Sequence, residues 1–353
     1  MQHKTKGEIM EKLLQEQVDK KLIFGGSVLV STLDGSRNIG FSAGHTAANE
    51  LYKFDSQTIV DMASVTKAAA TITALLICIE RGLVDPERSF ADYLPQLRYK
   101  LAEKVSVADL ANHLSGFGNI PGINHYPYFA ETGAEMVENI LNMAPIYPRG
   151  KFEYACWNYL LLCMIVEEVT QQKFPDFCRR EIFDVLNMTS SSLGAPASSD
   201  PALLAHTFNT PQAGMISDRV AHRFYSGGFS AGNAGMFSTI EDMAKLLRCY
   251  LRHGASENNN RLFSSKVFDL LLPQGALPTI SNRTFGWIVC DEIFPDSITG
   301  KTLMHSGWSG QTLWMDTQNN IFAVILTARC GDYAQAKNAR FEILKQAITA
   351  LRR

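Results

Sequence analysis

Hydrophobic and polar positions change period along the chain, and the changes mark its elements. Ile9, Leu13, Leu14 and Val18 recur at helical spacing among polar residues, which predicts an amphipathic helix over about the first 20 residues. Two short strand-like runs follow in GGSVLVSTLDGSRNIGFSAG, and Asp34-Gly35 between them predicts a hairpin. Thr66 to Arg81 is apolar and helical in character, closed by Gly82. Further helices are predicted over Ala134–Met143, Asn158–Thr170 and Glu241–His253. Ser190–Pro211 is rich in Ser, Ala and Pro and is expected to be a long surface loop. Strand patterns return at Thr284–Cys290, Thr302–His305, Gln311–Asp316 and Ile321–Ala328, and a last helix covers Tyr333–Leu351. Strands at both ends with helices between them predict an α+β fold. A mainly antiparallel sheet, flanked by the terminal helices, would be built from about residues 1–65 and 212–353. A helical lobe of about residues 66–211 would be inserted into it, within a single domain spanning residues 1–353.

Composition narrows the class. The 353 residues are 46% apolar and 19% charged, an ordinary globular balance. A formal net charge of −2, with dispersed Lys and Arg, gives no electrostatic case for nucleic acid or an anionic membrane as partner. The apolar runs Ala68–Ile79 and Tyr159–Val166 are too short to span a bilayer. MQHKTKGEIMEKLLQEQVDKK has neither the apolar stretch nor the small-residue cleavage site of a secretory signal, so a cytoplasmic location is expected unless the chain is truncated. Seven scattered cysteines, without a CxxC pair or a Cys/His cluster, support neither a disulfide framework nor a metal site.

Chemistry enters at DMASVTKAAATITALLICIERG. Ser64 and Lys67 stand three residues apart, so one helical face brings them together. A partly desolvated amine has a lowered pKa and accepts a hydroxyl proton, which would make Lys67 the activator of Ser64. A capping serine beside a solvated lysine is the structural alternative. In PRGKFEYACWNYLLLCMIVEEVT, Tyr154 precedes an apolar helix, either as a packing residue or as a base held by nearby cations. His305-Ser306-Gly307 ends a strand, and its glycine allows close approach of a ligand to the backbone.

Together these stretches resemble the serine hydrolase family of class C β-lactamases, low-molecular-weight penicillin-binding proteins of the DD-peptidase type, and related esterases. Met62-Ala63-Ser64-Val65-Thr66-Lys67 is similar to the family's nucleophile motif. Pro148 to Leu162 is similar to its Tyr-x-Asn segment, and His305-Ser306-Gly307 to its third motif, Lys-Thr-Gly or His-x-Gly. Weaker likenesses lie at Glu80–Leu83, Tyr93–Pro95, His113–Gly116 and Ala234–Thr239, and the resemblance spans roughly residues 20–330. It implies a covalent acyl-enzyme on Ser64, a proton shared by Lys67 and Tyr154, and an oxyanion hole formed by the backbone N–H groups of Ser64 and Trp308. Cys156, His305, Ser306, Gly307 and Trp308 would bind substrate, with His305 on an edge strand holding the network around Tyr154. It implies a small-molecule acyl substrate and neither a cofactor nor a metal.

Two positions depart from that pattern. Cys156 stands where the family has the asparagine that hydrogen-bonds substrate, and a thiol is a poor donor. It reads as a small residue filling space, or as a thiol that makes activity redox-sensitive. His305 replaces the usual lysine, and a neutral imidazole is a poorer anion partner. Lys301-Thr302 lies outside the strand-end register, and Asn158 is an unlikely stand-in for the lost asparagine. Tyr126, Tyr128, Phe129, Trp157, Trp308 and Trp314 are candidates for an apolar acyl pocket, with ordinary packing as the alternative for each. Loops Asn119–Thr132 and Ser190–Arg223 would set specificity. An esterase or amidase fits these departures best. A DD-carboxypeptidase, penicillin-binding protein or weak β-lactamase is the second reading, and a non-catalytic binding or sensor protein on the same fold is the third.

Overall fold

A computed structural model of the protein describes residues 6–99, 104–118, 129–272, 283–289 and 302–352. In chain order, helix α1 (Lys6–Asp19) leads into strands β1 (Ile23–Thr32), β2 (Asn38–Gly44) and β3 (Val60–Asp61). A π-helical turn, Lys67–Ile72, runs on into α2 (Thr73–Glu80). The helices α3 (Val107–Ala111), α4 (Gly133–Asn142), α5 (Cys156–Thr170) and α6 (Phe174–Cys178) follow. Then come β4 (Ser192–Leu193), α7 (Arg219–Ser226), β5 (Met236–Ser238), α8 (Ile240–Leu251) and α9 (Ser265–Phe268). The chain ends with β6 (Arg283–Thr284), β7 (Trp287–Val289), β8 (Thr302–Ser306), β9 (Gln311–Asp316), β10 (Ile321–Arg329) and α10 (Tyr333–Arg352).

Among the described residues the main sheet has seven strands in the order β2-β1-β10-β9-β8-β7-β6, and every neighbouring pair is antiparallel. Strands from both ends of the chain thus lie side by side, as the sequence pattern predicts. The fully buried β10 is inside the sheet, and its alternating side chains serve two cores. Ile321, Ala323 and Ile325 join Met10 and Leu14 of α1 and Ile343, Leu344 and Ile348 of α10 in one layer. Phe322, Val324 and Leu326 join the larger core, which runs through α2, α5 and α8. Each fully buried aliphatic side chain contributes roughly 1.5–3 kcal/mol, so both terminal helices are anchored by the sheet face they cover. The arrangement is α+β, an antiparallel sheet flanked by helices with a helical lobe inserted between its strands.

Most predicted elements differ only at their ends: α4, α5, α8 and α10 begin or stop within two residues of the expected helices. Three differ in kind. The helix expected from Thr66 opens as a π turn with every side chain buried. Part of the expected loop Ser190–Pro211 is drawn into pairing: β4 lies against β5, and Leu204 bridges Ile59. The run Thr284–Cys290 is a hairpin rather than one strand, with β6 and β7 joined by Phe285 at φ 40° and Gly286 at φ 88°; Cys290 lies outside the described residues. Two consecutive positive φ values are what a two-residue hairpin turn needs, and Phe-Gly is not the usual sequence for one.

Gly286 is fixed by space as well as by φ. A Cβ there would sit 2.6 Å from Ile72 Cγ1 and 2.7 Å from the Tyr159 hydroxyl. Gly286→Ala is expected to lower stability by about 1–3 kcal/mol, read as a lower urea midpoint with an unchanged slope.

Candidate active site

Ser64 sits on a turn that its neighbours hold rigidly. Ala63 takes φ 43°, which a residue with a side chain rarely adopts. Asp61 stabilises it: Oδ1 accepts the Ala63 N–H at 3.0 Å, and Oδ2 accepts the Ser217 N–H at 3.0 Å and the Ser217 hydroxyl. Burial pushes the Asp61 carboxyl above its ordinary value despite these bonds. A turn follows in which each N–H donates to the carbonyl three residues earlier, Lys67 N–H to Ser64 O at 3.1 Å. The sequence expectation that Ser64 and Lys67 share a face is met, since Lys67 Nζ lies 3.1 Å from Ser64 Oγ.

The Lys67 side chain is fully buried. Its ammonium donates to the Asn233 carbonyl at 2.9 Å and approaches Cys156 Sγ at 3.7 Å, and it lies 5.1 Å from the centre of the Tyr154 ring. Burial alone drives an amine towards its neutral form. The negative charge that Cys156 and Tyr154 can carry, with Asp218 beyond them, outweighs it and holds Lys67 above its ordinary value. This direction is opposite to the lowered amine expected from the sequence, and it depends on negative charge at those neighbours.

Tyr154 arrives from another part of the chain, with its hydroxyl donating to Ser64 Oγ at 3.0 Å. His113, itself at φ 58°, grips the segment on both sides. Its carbonyl accepts the Glu153 N–H at 3.0 Å and its Nδ1 accepts the Ala155 N–H at 3.2 Å. The Asn158 side chain is turned away from Ser64 and spent on this scaffold, 3.0 Å from His113 Nδ1, and its Oδ1 accepts the Ser115 hydroxyl at 2.6 Å.

The third predicted stretch closes the site. Gly307 packs so tightly on the nucleophile turn that a Cβ there would lie 2.8 Å from Met62 O and 3.4 Å from Ala63 Cβ. Ser309 Oγ donates to Asp61 O at 3.1 Å. Strand β8 is an inner strand, not the expected edge, because β7 pairs with Leu303 and Met304. Its last residues, His305 and Ser306, pair with Leu313 and Thr312 of β9. Neither ring nitrogen of His305 has a hydrogen-bond partner among the described residues, so the expected bond from it into the Tyr154 network is not made. The N–H groups of Ser64 and Trp308 likewise meet no protein acceptor among the described residues, as donors reserved for a ligand would. Trp308 is 41% exposed and leans on Phe208 and on the Arg329 guanidinium, whose Nε donates to Trp308 O at 2.8 Å.

The predicted aromatic pocket is largely dispersed. Trp157 is buried against Phe117, Trp314 lies in the layer beneath the terminal helices, and Phe129 packs under Arg219. Tyr126, Tyr128 and Lys301 lie outside the described residues. Cys156, the first residue of α5, is buried, and burial raises its thiol above the ordinary value. Asn233 donates through Nδ2 to Asp218 Oδ1 at 3.1 Å, and its Oδ1 has no hydrogen-bond partner among the described residues. Asn233, His113, Asp61 and Arg283, whose guanidinium is 5.5 Å from the centre of the Tyr154 ring, are site residues that sequence reasoning missed. Of these only His113 lay in a noticed motif. No group of three or more potential metal ligands occurs among the described residues.

Comparison with known proteins agrees with the geometry. Residues 10–347 match the Beta-lactamase family, and the chain belongs to it. An N-acetylmuramyl-L-alanine amidase of Bacillus subtilis (strain 168) is 28% identical over 347 residues, covering 86% of this chain and 77% of the relative. The crystal structure of a penicillin-binding protein homolog from Caulobacter crescentus superposes with a TM-score of 0.75 at 14% identity, covering 98% of both chains. EstCE1, described as a hydrolase with promiscuous acyltransferase activity, gives a TM-score of 0.75 at 17% identity, again over 98% of both. At such identities the structures show a shared fold. No helix among the described residues is long and apolar enough to cross a membrane.

The buried histidines give a signed prediction. His113 and His305 are held well below the usual imidazole value by burial first, then by the charges of Arg283 and Lys67. As pH falls below about 6.5 the unfolded chain takes up these protons and the folded one does not, so both residues draw stability down. Their imidazole NMR signals are expected to stay neutral between pH 8 and 5.5. For Cys156, iodoacetamide at pH 8 is expected to leave the thiol unmodified in the folded protein, read by peptide mass spectrometry, while the half-exposed Cys330 reacts sooner.

Proposed function

We propose that the protein is a serine hydrolase that cleaves an ester or amide of a small acyl substrate through a covalent acyl-enzyme on Ser64. The observation that carries this reading is the convergence of Lys67 Nζ and Tyr154 Oη, at 3.1 Å and 3.0 Å, on a single hydroxyl oxygen. Two further supports are the unclaimed N–H groups of Ser64 and Trp308 and the membership of the Beta-lactamase family. A protein that only binds has no need of a cation buried beneath a serine.

In the reactive state the trio is one proton short of full protonation. Since Lys67 stays an ammonium, the proton leaving Ser64 goes to the Tyr154 oxygen as Oγ bonds to the carbonyl carbon. The carbonyl oxygen becomes an anion and is held by the N–H groups of Ser64 and Trp308. Tyr154 then returns the proton to the leaving alcohol or amine as its bond to carbon breaks, and the acyl group remains on Ser64. In the second half Tyr154 takes a proton from water as the water oxygen bonds to the acyl carbon, and returns it to Ser64 Oγ as the bond from Oγ to carbon breaks and the acid leaves. Lys67 keeps its charge throughout and holds the negative charge wherever it resides on the two oxygens. The described relatives include an amidase and a hydrolase with acyltransferase activity, so an alcohol in place of water is a second acceptor compatible with the same intermediate.

A fluorophosphonate probe is expected to add one phosphonyl group to the wild type and none to Ser64→Ala, read by intact mass, with wild-type turnover of short p-nitrophenyl esters. Lys67→Ala and Tyr154→Phe are expected to slow acylation at least about 100-fold, the scale of lost general acid–base groups. An unlabelled wild type, or Lys67→Ala at full rate, overturns the reading.

A further inference from the structure

The amine beside Ser64 is fully buried, and among the described residues no carboxylate touches it. Its hydrogen-bond partners are Ser64 Oγ at 3.1 Å, the Asn233 carbonyl at 2.9 Å and Cys156 Sγ at 3.7 Å, and sulfur is a weak acceptor. A carboxylate stands one residue further out. Asn233, also fully buried, holds the Lys67 ammonium on its backbone oxygen and donates through Nδ2 to Asp218 Oδ1 at 3.1 Å. The same Oδ1 accepts the Ala221 N–H at 2.8 Å at the start of α7. An ionised carboxylate only accepts, so the amide must turn its nitrogen to Asp218. Asn233 Oδ1 is thereby left buried without a partner among the described residues, a cost that a residue kept for packing alone would not carry. Asp218 is half-buried, and Lys67, Cys156 and Asp61 all feel its charge. The next side chain, Arg219, turns its guanidinium onto the Phe129 ring at 5.0 Å instead. The preceding residue, Ser217, is bound through its N–H and hydroxyl to Asp61, which holds the Ala63 N–H. Two consecutive residues therefore tie the nucleophile turn and the support of the amine to the start of one helix. Tyr154 and Cys156 are the other groups whose negative charge Lys67 can feel, and His113 and His305, which feel both Lys67 and Arg283, are neutral.

We propose that Asp218 is a positioning residue for the catalytic amine: through the Asn233 side chain it fixes the carbonyl that holds Lys67, and it supplies a permanent negative charge behind the ammonium. This rests on the acyl-enzyme reading above. In that reaction the proton moves between Ser64, Tyr154 and the leaving group while Lys67 keeps its own. When Tyr154 is protonated it no longer balances the ammonium, and a fixed anion behind Asn233 then takes that part. Contact is not required. A carboxylate touching Nζ would compete with Ser64 and Tyr154 for its N–H groups, whereas one amide between them passes the field and leaves those donors to the reacting oxygens.

The test is the isosteric Asp218→Asn, which keeps an acceptor for both hydrogen bonds and removes the charge. Asp218→Ser, which caps α7 but is too short to reach Asn233, is the second variant should the first not fold. The acid limb of kcat/KM for a short p-nitrophenyl ester reports the loss of one proton from the Ser64–Lys67–Tyr154 trio. Without the anion that proton leaves more easily, so the limb is expected to move down by roughly one on the pH scale, the effect of a single charge beyond contact at an effective dielectric of about 20. A residue that only caps a helix would lower the melting temperature and leave the limb in place. Asn233→Ala, which cuts the link but keeps the backbone carbonyl, is expected to lower kcat about 10-fold with KM little changed, the scale of a lost hydrogen bond to a charged group. A readout without turnover uses Ser64→Ala: the first deprotonation of the Lys67–Tyr154 pair, followed by NMR of the isotope-labelled Tyr154 ring, is expected to fall in pH when Asp218→Asn is added. A limb that stays in place in the folded Asp218 variant, an unmoved titration of the pair, or Asn233→Ala at full rate overturns the proposal. A pair titration that follows Asp218 in a protein that no acylating probe labels leaves the charge assignment standing and sinks the hydrolase reading instead.

Discussion

The site depends on one buried charge. The Lys67 ammonium is buried from solvent, and it is tolerable there because the Asn233 carbonyl, Ser64 Oγ and the polar edges of Cys156 and Tyr154 surround it. These partners come from three stretches of chain, so the cation acts as a pin through the nucleophile turn, the start of α5 with the residues before it, and the segment before β5. An uncompensated charge at this depth would cost several kcal/mol, which makes the convergence of those segments a condition for folding as well as for chemistry.

The rest of the frame serves that convergence. Asp61 secures the strained turn at Ala63, His113 fixes the Tyr154 segment from both sides, and Gly307 lets the end of β8 close on the backbone at Met62. These are close, directional contacts between rigid pieces, the preorganisation that lets fixed donors stabilise a transient anion without rearranging. The π turn at Lys67–Ile72 belongs to the same design, since it shifts the helical register where the lysine must turn inward.

The two departures from the family pattern have defined neighbours. Cys156 is small and buried, and Asn233 holds the neighbouring Lys67 through its backbone carbonyl. His305 is neutral, and a cation is present in the adjoining hairpin as Arg283.

Much of this was legible in the linear chain. Strand and helix periods, the Asp34-Gly35 turn and the three ordered motifs determined the class of fold and brought Ser64, Lys67 and Tyr154 forward as a set, because those signals are local and each residue carries its own propensity or chemistry. The protonation of Lys67, the neutrality of His305, the retreat of Trp157 and Trp314 into the core and the roles of Asn233, His113 and Arg283 were decided by tertiary structure alone. Charge state and accessibility are set by desolvation and by neighbours remote in sequence, such as Asn233, 166 positions from Lys67, and no spacing along a chain records what lies across a fold.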